Sequence, residues 1–121
     1  MSRPMFCLGK EDETALYEVV QRRILALCPH ASVKHNRTQT AFLRKVQFAW
    51  LSMPRRKADA GGLMLSIGLP SRVEDPRIRY AAEVAPGRWM HHLILRSEAD
   101  FDQEVSRWVE AAWALVGPGR R

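Results

Sequence analysis

The chain has 121 residues, is 46% hydrophobic and 26% charged, and carries 19 basic against 13 acidic residues for a net charge of +6. That balance excludes intrinsic disorder, and the length suffices to bury a core without a metal or a disulfide. No apolar run approaches the about 20 residues of a membrane span, and the apolar stretch in MSRPMFCLGK is too short for a signal peptide. The expectation is one cytoplasmic domain over 1–121, with no membrane partner, a loose lead-in over 1–10 and a tail over 117–121.

From Asp12 the pattern is helical, with Leu16, Val19, Val20, Ile24, Leu27 and Cys28 on one stripe, until Pro29 stops it. TAFLRKVQFAWLSM is rich in aromatic and β-branched residues and reads as a hairpin turning near Arg44–Lys45. Within it Val46, Phe48 and Trp50 alternate with Gln47, Ala49 and Leu51. In LMLSIGL, Leu63, Leu65, Ile67 and Leu69 share one face, and Met64, Ser66 and Gly68 the other. RIRYAAEV repeats the alternation, which predicts Ile78, Tyr80, Ala82 and Val84 inside and Arg77, Arg79 and Glu83 outside. Ala85-Pro86-Gly87 turns into a strand, PGRWMHHLIL. A helix is then expected from an N-cap at Ser97, running through Phe101, Val105, Trp108, Val109, Ala112, Leu115 and Val116 to Gly117-Pro118. Helix, four or five strands, then helix, joined by short links, implies a two-layer α+β domain. Its antiparallel meander carries the N-terminal and C-terminal helices on one face.

Eight basic residues lie between His30 and Val73 (Lys34, Arg37, Arg44, Lys45, Arg55, Arg56, Lys57 and Arg72) against the single acid Asp59. Charge segregated this way suits an anionic partner or, equally, a solvated basic surface. The two cysteines, Cys7 and Cys28, have no CxxC partner, which argues against zinc; Cys28 reads as core, and a disulfide between the two stays open.

His91 and His92 are adjacent on a strand and therefore point to opposite faces, so they cannot chelate one ion. His91 travels with Trp89, Leu93 and Leu95 and reads as structural. His92 travels with Met90, Ile94 and Arg96 on the outer face and is the better functional candidate. His30 and His35 have no carboxylate at helpful spacing, so no metal site is expected. The sequence has no GxSxG, P-loop or GxGxxG, Glu74 and Asp75 read as turn residues, and Ser66 and Ser71 have no base at a recognisable offset. No catalytic residues and no cofactor are assigned.

The pattern Phe42-x-Arg44-Lys45-x-x-Phe48-Ala49 and the run Gly87-Arg88-Trp89-x-His91-His92 resemble the domain-of-unknown-function family 5655, over about Glu13 to Val116. The resemblance implies a compact α+β module with no established reaction, and it marks Arg44, Lys45, Arg88 and His92 as a surface to test. More loosely, the layout is similar to MmcQ/YjbR-type domains, often described as DNA-binding, in which a Trp- and His-bearing strand also precedes the last helix. Three functional readings follow. One is a non-enzymatic module binding an anionic small molecule or partner through Arg44, Lys45, Arg79, Arg88, His92 and Arg96. Another is a sequence-indifferent nucleic-acid binder that adds the Arg55-Arg56-Lys57 loop. The third is a small enzyme using His92 as acid/base and Arg88 as anion clamp. A partner protein or a homodimer is also compatible with the sequence.

Overall fold

The computed structural model describes residues 11–36, 39–54 and 62–116. Helix α1 (Glu11–Leu27) leads into strands β1 (Ser32–His35), β2 (Gln39–Arg44), β3 (Val46–Ser52), β4 (Leu63–Leu69), β5 (Ile78–Ala85) and β6 (Arg88–Leu95), and helix α2 (Gln103–Leu115) follows. The class is α+β as expected, with six strands where the pattern gave four or five. The added strand is the short β1, whose exposed residues carry little apolar alternation to read.

All pairings are antiparallel, and the sheet order is β1-β2-β3-β4-β6-β5. The meander expectation therefore holds only as far as β4. From there the chain steps over the place β6 will take, runs along the edge as β5, and returns as β6 between them. Short links suggested consecutive antiparallel pairing, but β4 and β5, both antiparallel to β6, run parallel; the eight residues between them, about 27 Å when extended, span the return along the sheet and the about 10 Å across β6 without a helix. Asp75 shapes the landing, accepting from the Arg77 backbone N–H through its side chain and from Ile78 N–H through its carbonyl.

Both helices cover one face. α1 buries Leu16, Tyr17, Val20 and Ile24, with Cys28 buried just past its end, and α2 buries Val105, Trp108, Val109 and Ala112. Facing them are Phe42, Ala49, Leu51, Leu63, Leu65, Ile67, Leu69, Leu93 and Leu95. Tyr17 is buried beyond the stripe read from the sequence, its hydroxyl donating to Thr40 Oγ1 at 2.9 Å. The β4 alternation and the opposed histidines match expectation. In β3 a bulge opposite Phe42/Leu43 leaves Phe48 without a paired residue and lets it join Ala49 on the helix side. There it meets Trp113 edge-on, with ring centroids 5.2 Å apart. Trp50 is thereby separated from Phe48 and stands half-buried on the opposite face. In β5 the predicted inside set holds for Ile78, which packs against the core, but not for Tyr80 and Val84, which are exposed because β5 is an edge strand with register shifts at Ile78/Tyr80 and Glu83/Ala85.

The last helix also starts later than expected. Glu98–Asp100 forms one 3₁₀ turn, Ser97 makes no side-chain cap, and Asp102 is the N-cap, accepting from Val105 N–H at 3.0 Å. Asp102→Ala should cost about 1 kcal/mol for the lost cap, read as a lower urea midpoint. At the far end α2 has no basic residue in its last turn; Arg44 supplies one from β2, donating to the Trp113 carbonyl at 3.1 Å and lying 4.1 Å over its ring. Cys28 is a buried free thiol, pushed up to about 11 chiefly by burial and secondarily by Glu110, and so stays protonated and unreactive at neutral pH. No helix among the described residues is long and apolar enough to cross a membrane.

Candidate functional site on the open sheet face

Among the described residues no helix covers the second face of the sheet. Cross-strand register sets one row across it: Lys34, Ala41, Trp50, Ser66, His92 and Tyr80, one residue from each strand. Ser66 is the small member between two ring side chains, and its Oγ lies 2.7 Å from His92 Nδ1. On the other side of His92 the Tyr80 ring stacks on the imidazole, with centroids 5.8 Å apart and planes inclined by 22°. The imidazole is thus held by a hydroxyl and an aromatic ring from two different strands.

The next row holds Gly68, Met90 and Ala82. Gly68 matters because it has no side chain: a Cβ there would sit 3.1 Å from Arg88 Nε and 3.3 Å from Met90 Sδ. Through that gap the Arg88 side chain crosses β4 and donates from its Nη2 to the Gln47 carbonyl on β3 at 2.9 Å. Its Nε is buried and makes no hydrogen bond. The guanidinium is thus held in one place, with one donor left unsatisfied beneath the open face.

The basic residues singled out in the sequence divide into two groups. Arg88 and His92 lie on the open face, with Arg96 exposed just past the end of β6. Arg44 is turned to the helix side, against Trp113. Lys45 is the exposed turn residue of the β2–β3 hairpin, in the left-handed region at φ 67°. Arg79 sits at the β5 edge, donating to the Pro76 carbonyl. The expected six-residue surface therefore does not exist as one patch. Arg55, Arg56 and Lys57 lie outside the described residues.

Ser66, Gly68 and Tyr80 were not among the expected site residues. The outward phase of Ser66 and Gly68 was readable from LMLSIGL, but the Ser66–His92 contact depends on strand register, which the sequence does not display. His91 is structural: fully buried, with Nδ1 against the Trp89 carbonyl and Nε2 accepting from Val73 N–H, both at 2.9 Å. Burial and then nearby Arg72 hold its pKa below the ordinary histidine value, so it is neutral. His35 meets Thr40 Oγ1 through Nδ1 at 3.0 Å. Among the described residues no three His, Cys, Asp or Glu side chains gather as metal ligands.

A family model described as "Domain of unknown function (DUF5655)" matches residues 6–116. No curated protein and no solved structure matches the chain.

Proposed function

The chain belongs to the DUF5655 family of domains of unknown function, and on that premise we propose that it is a non-enzymatic binding module whose open sheet face takes an anionic ligand. The observation that carries this reading is Arg88, laid across Gly68 with an unsatisfied Nε, one row from the Ser66–His92 pair. An unmade bond at a buried donor costs about 1–3 kcal/mol, which a ligand oxygen would recover once the Arg88 side chain shifts to expose Nε. Trp50 and Tyr80 flank the same pair and supply apolar walls that would orient the rest of a ligand. The buried free thiol of Cys28 fits a reducing, cytoplasmic setting.

One observation favours a second reading. Ser66 Oγ and His92 Nδ1, at 2.7 Å, have the separation of a hydroxyl and its general base, which suits an enzyme acting on an anionic substrate.

The test is an equilibrium titration with inorganic phosphate and, separately, with a labelled single-stranded oligonucleotide at two salt concentrations. Phosphate binding should weaken about tenfold in Arg88→Ala, the loss of one charge-assisted contact. It should weaken several-fold in Gly68→Ala, where the new methyl displaces the Arg88 side chain. Binding unchanged in both variants contradicts the proposal. Oligonucleotide binding with a steep salt dependence and no response to Arg88→Ala would instead place nucleic acid on another basic surface.

A further inference from the structure

We propose that His91 is a proton-operated latch: neutral, it holds the loop that crosses from β4 to β5 against the sheet, and protonated it releases residues 70–74 while the sheet stays folded. The tautomer follows from its partners. A carbonyl only accepts, so the contact of Nδ1 with the Trp89 carbonyl at 2.9 Å puts the ring proton on Nδ1. Nε2 is then the bare nitrogen, and it accepts from Val73 N–H, also at 2.9 Å. That bond ties the middle of the loop to the sheet. A proton taken up by His91 has only Nε2 to occupy, where it meets the Val73 N–H donor to donor. The ring is fully buried, so the charge created there also lacks water. Both costs are relieved when the loop moves off Nε2 and water takes its place.

The loop can open between two fixed ends. Leu69 closes β4 in the core at one end, and at the other Asp75 is forked by Arg77. Between them Pro70, Ser71, Arg72 and Glu74 are exposed, and the half-buried Val73 side chain rests on the core. The groups around His91 set where the latch acts. Across the sheet stand Ile67 on β4 and Ala81 on β5, neither of which titrates. The helices pack chiefly on β3 and β4. Burial first, and then the positive charge of Arg72 from the loop, hold the His91 pKa below 6.5. Of the loop's acids, Glu74 is turned to Arg72 at 3.9 Å and Asp75 to Arg77. Hydrogen bonding from Arg77 holds the Asp75 carboxyl below 3.8, so the far anchor survives the mild acid that protonates His91. Closure is therefore complete above about pH 6.5 and is lost as pH falls through the folded pKa of His91. The loop is one wall of a groove of about 540 Å³ beside β5, with Ile78, Tyr80 and Ala81 on the other side, and the groove widens as the latch opens.

Nuclear magnetic resonance on the full chain, from about pH 7.5 to about pH 5, tests this. At the upper end the His91 ring nitrogens should report the Nδ1–H tautomer. Below about pH 6.5 the protection of the Val73 amide against hydrogen exchange should fall about tenfold per pH unit as the open loop takes up the proton. The amides of Leu65 and Leu93, in the central strands, should stay protected. Arg72→Ala, a change at an exposed side chain, should move the transition to higher pH. His91→Gln, which can accept from Val73 N–H without titrating, should keep the Val73 protection constant over the range. His91 is on the helix side of β6 with Ile67, so either result leaves the anion reading where it stands. The proposal is overturned by an Nε2–H tautomer at the upper pH, or by Val73 protection that ignores pH or falls equally in His91→Gln. Loss of Leu65 and Leu93 protection together with that of Val73 overturns it as well.

Discussion

Replacing Arg77 with alanine should destabilise the protein by about 3 kcal/mol, the cost of removing one partner from a largely buried ion-pair cluster. Arg77 looks from the sequence like an outward residue of an alternating strand. Its side chain is in fact 17% exposed, and it joins three segments of the chain. Nε and Nη2 fork onto Asp75, itself 13% exposed, at 2.9 and 3.0 Å. Nη1 reaches the Asp100 carbonyl and Asp102 Oδ2, both at 2.9 Å, and Nη2 also meets Glu104 at 3.1 Å. The guanidinium carbon lies 5.4 Å over the Trp108 ring. The crossing loop, the cap of α2 and a core aromatic all depend on this one side chain.

Arg77→Lys should recover only part of the loss, since an ammonium cannot fork onto a carboxylate. Arg72→Ala is the control: Arg72 is exposed, 3.9 Å from Glu74, and its loss should change stability by no more than about 0.5 kcal/mol. Urea unfolding of the three variants at neutral pH decides the matter, and equal effects of Arg77→Ala and Arg72→Ala would contradict it. The same cluster fixes an acid limit. Hydrogen bonding from Arg77 holds the Asp75 carboxyl below its ordinary value of 3.8. Asp102 is held down first by Val105 N–H and then by Arg77. The stability these groups contribute is complete above their unfolded pKa values and is lost as pH falls through the folded ones.

His91 sets a second, higher window. Its folded pKa is lowered from 6.5 by burial, so below about pH 6.5 the unfolded chain binds a proton that the folded chain resists. Its contribution is complete above that pH and declines as pH falls toward the folded pKa, with a slope of at most about 1.4 kcal/mol per pH unit. His91→Leu should cost about 1–3 kcal/mol at neutral pH, because Val73 N–H loses its acceptor under the crossing loop. It should also remove this component of the pH dependence. Unfolding midpoints at about pH 7.5 and about pH 5.5 show it, the variant's falling less than the wild type's between the two. Parallel decline of both would contradict the assignment.

These two residues also mark how far the sequence can be read. His91 was legible, because strand alternation fixes its face without knowledge of any neighbour, and the same holds for LMLSIGL and for His92. Arg77 was not: Asp75 is two residues back, but Asp100 and Glu104 lie 23 and 27 residues ahead and come near only after β6 has been laid down. Tyr80 was misplaced because alternation assumes a strand with one buried face, and an edge strand with bulges has none over much of its length. Phe48 and Trp50 share a period in the sequence but not a face, since one bulge changes the phase between them. The start of α2 was drawn from Ser97 to Asp102 by a 3₁₀ turn that obeys the same capping preferences. On the candidate site, the outward residues of β4 and β6 were readable. Which of them sit side by side was not, because register is set by pairing and not by composition.

We propose that the open sheet face takes anions around Arg88 and His92. The most direct test is to follow ¹H–¹⁵N resonances while inorganic phosphate is added. Saturable shifts are expected at Ser66, Gly68, Arg88 and His92, all lost in Arg88→Ala, with Lys45 and Arg79 unmoved. Shifts centred on Lys45 or Arg79, or none at any phosphate concentration, would contradict it.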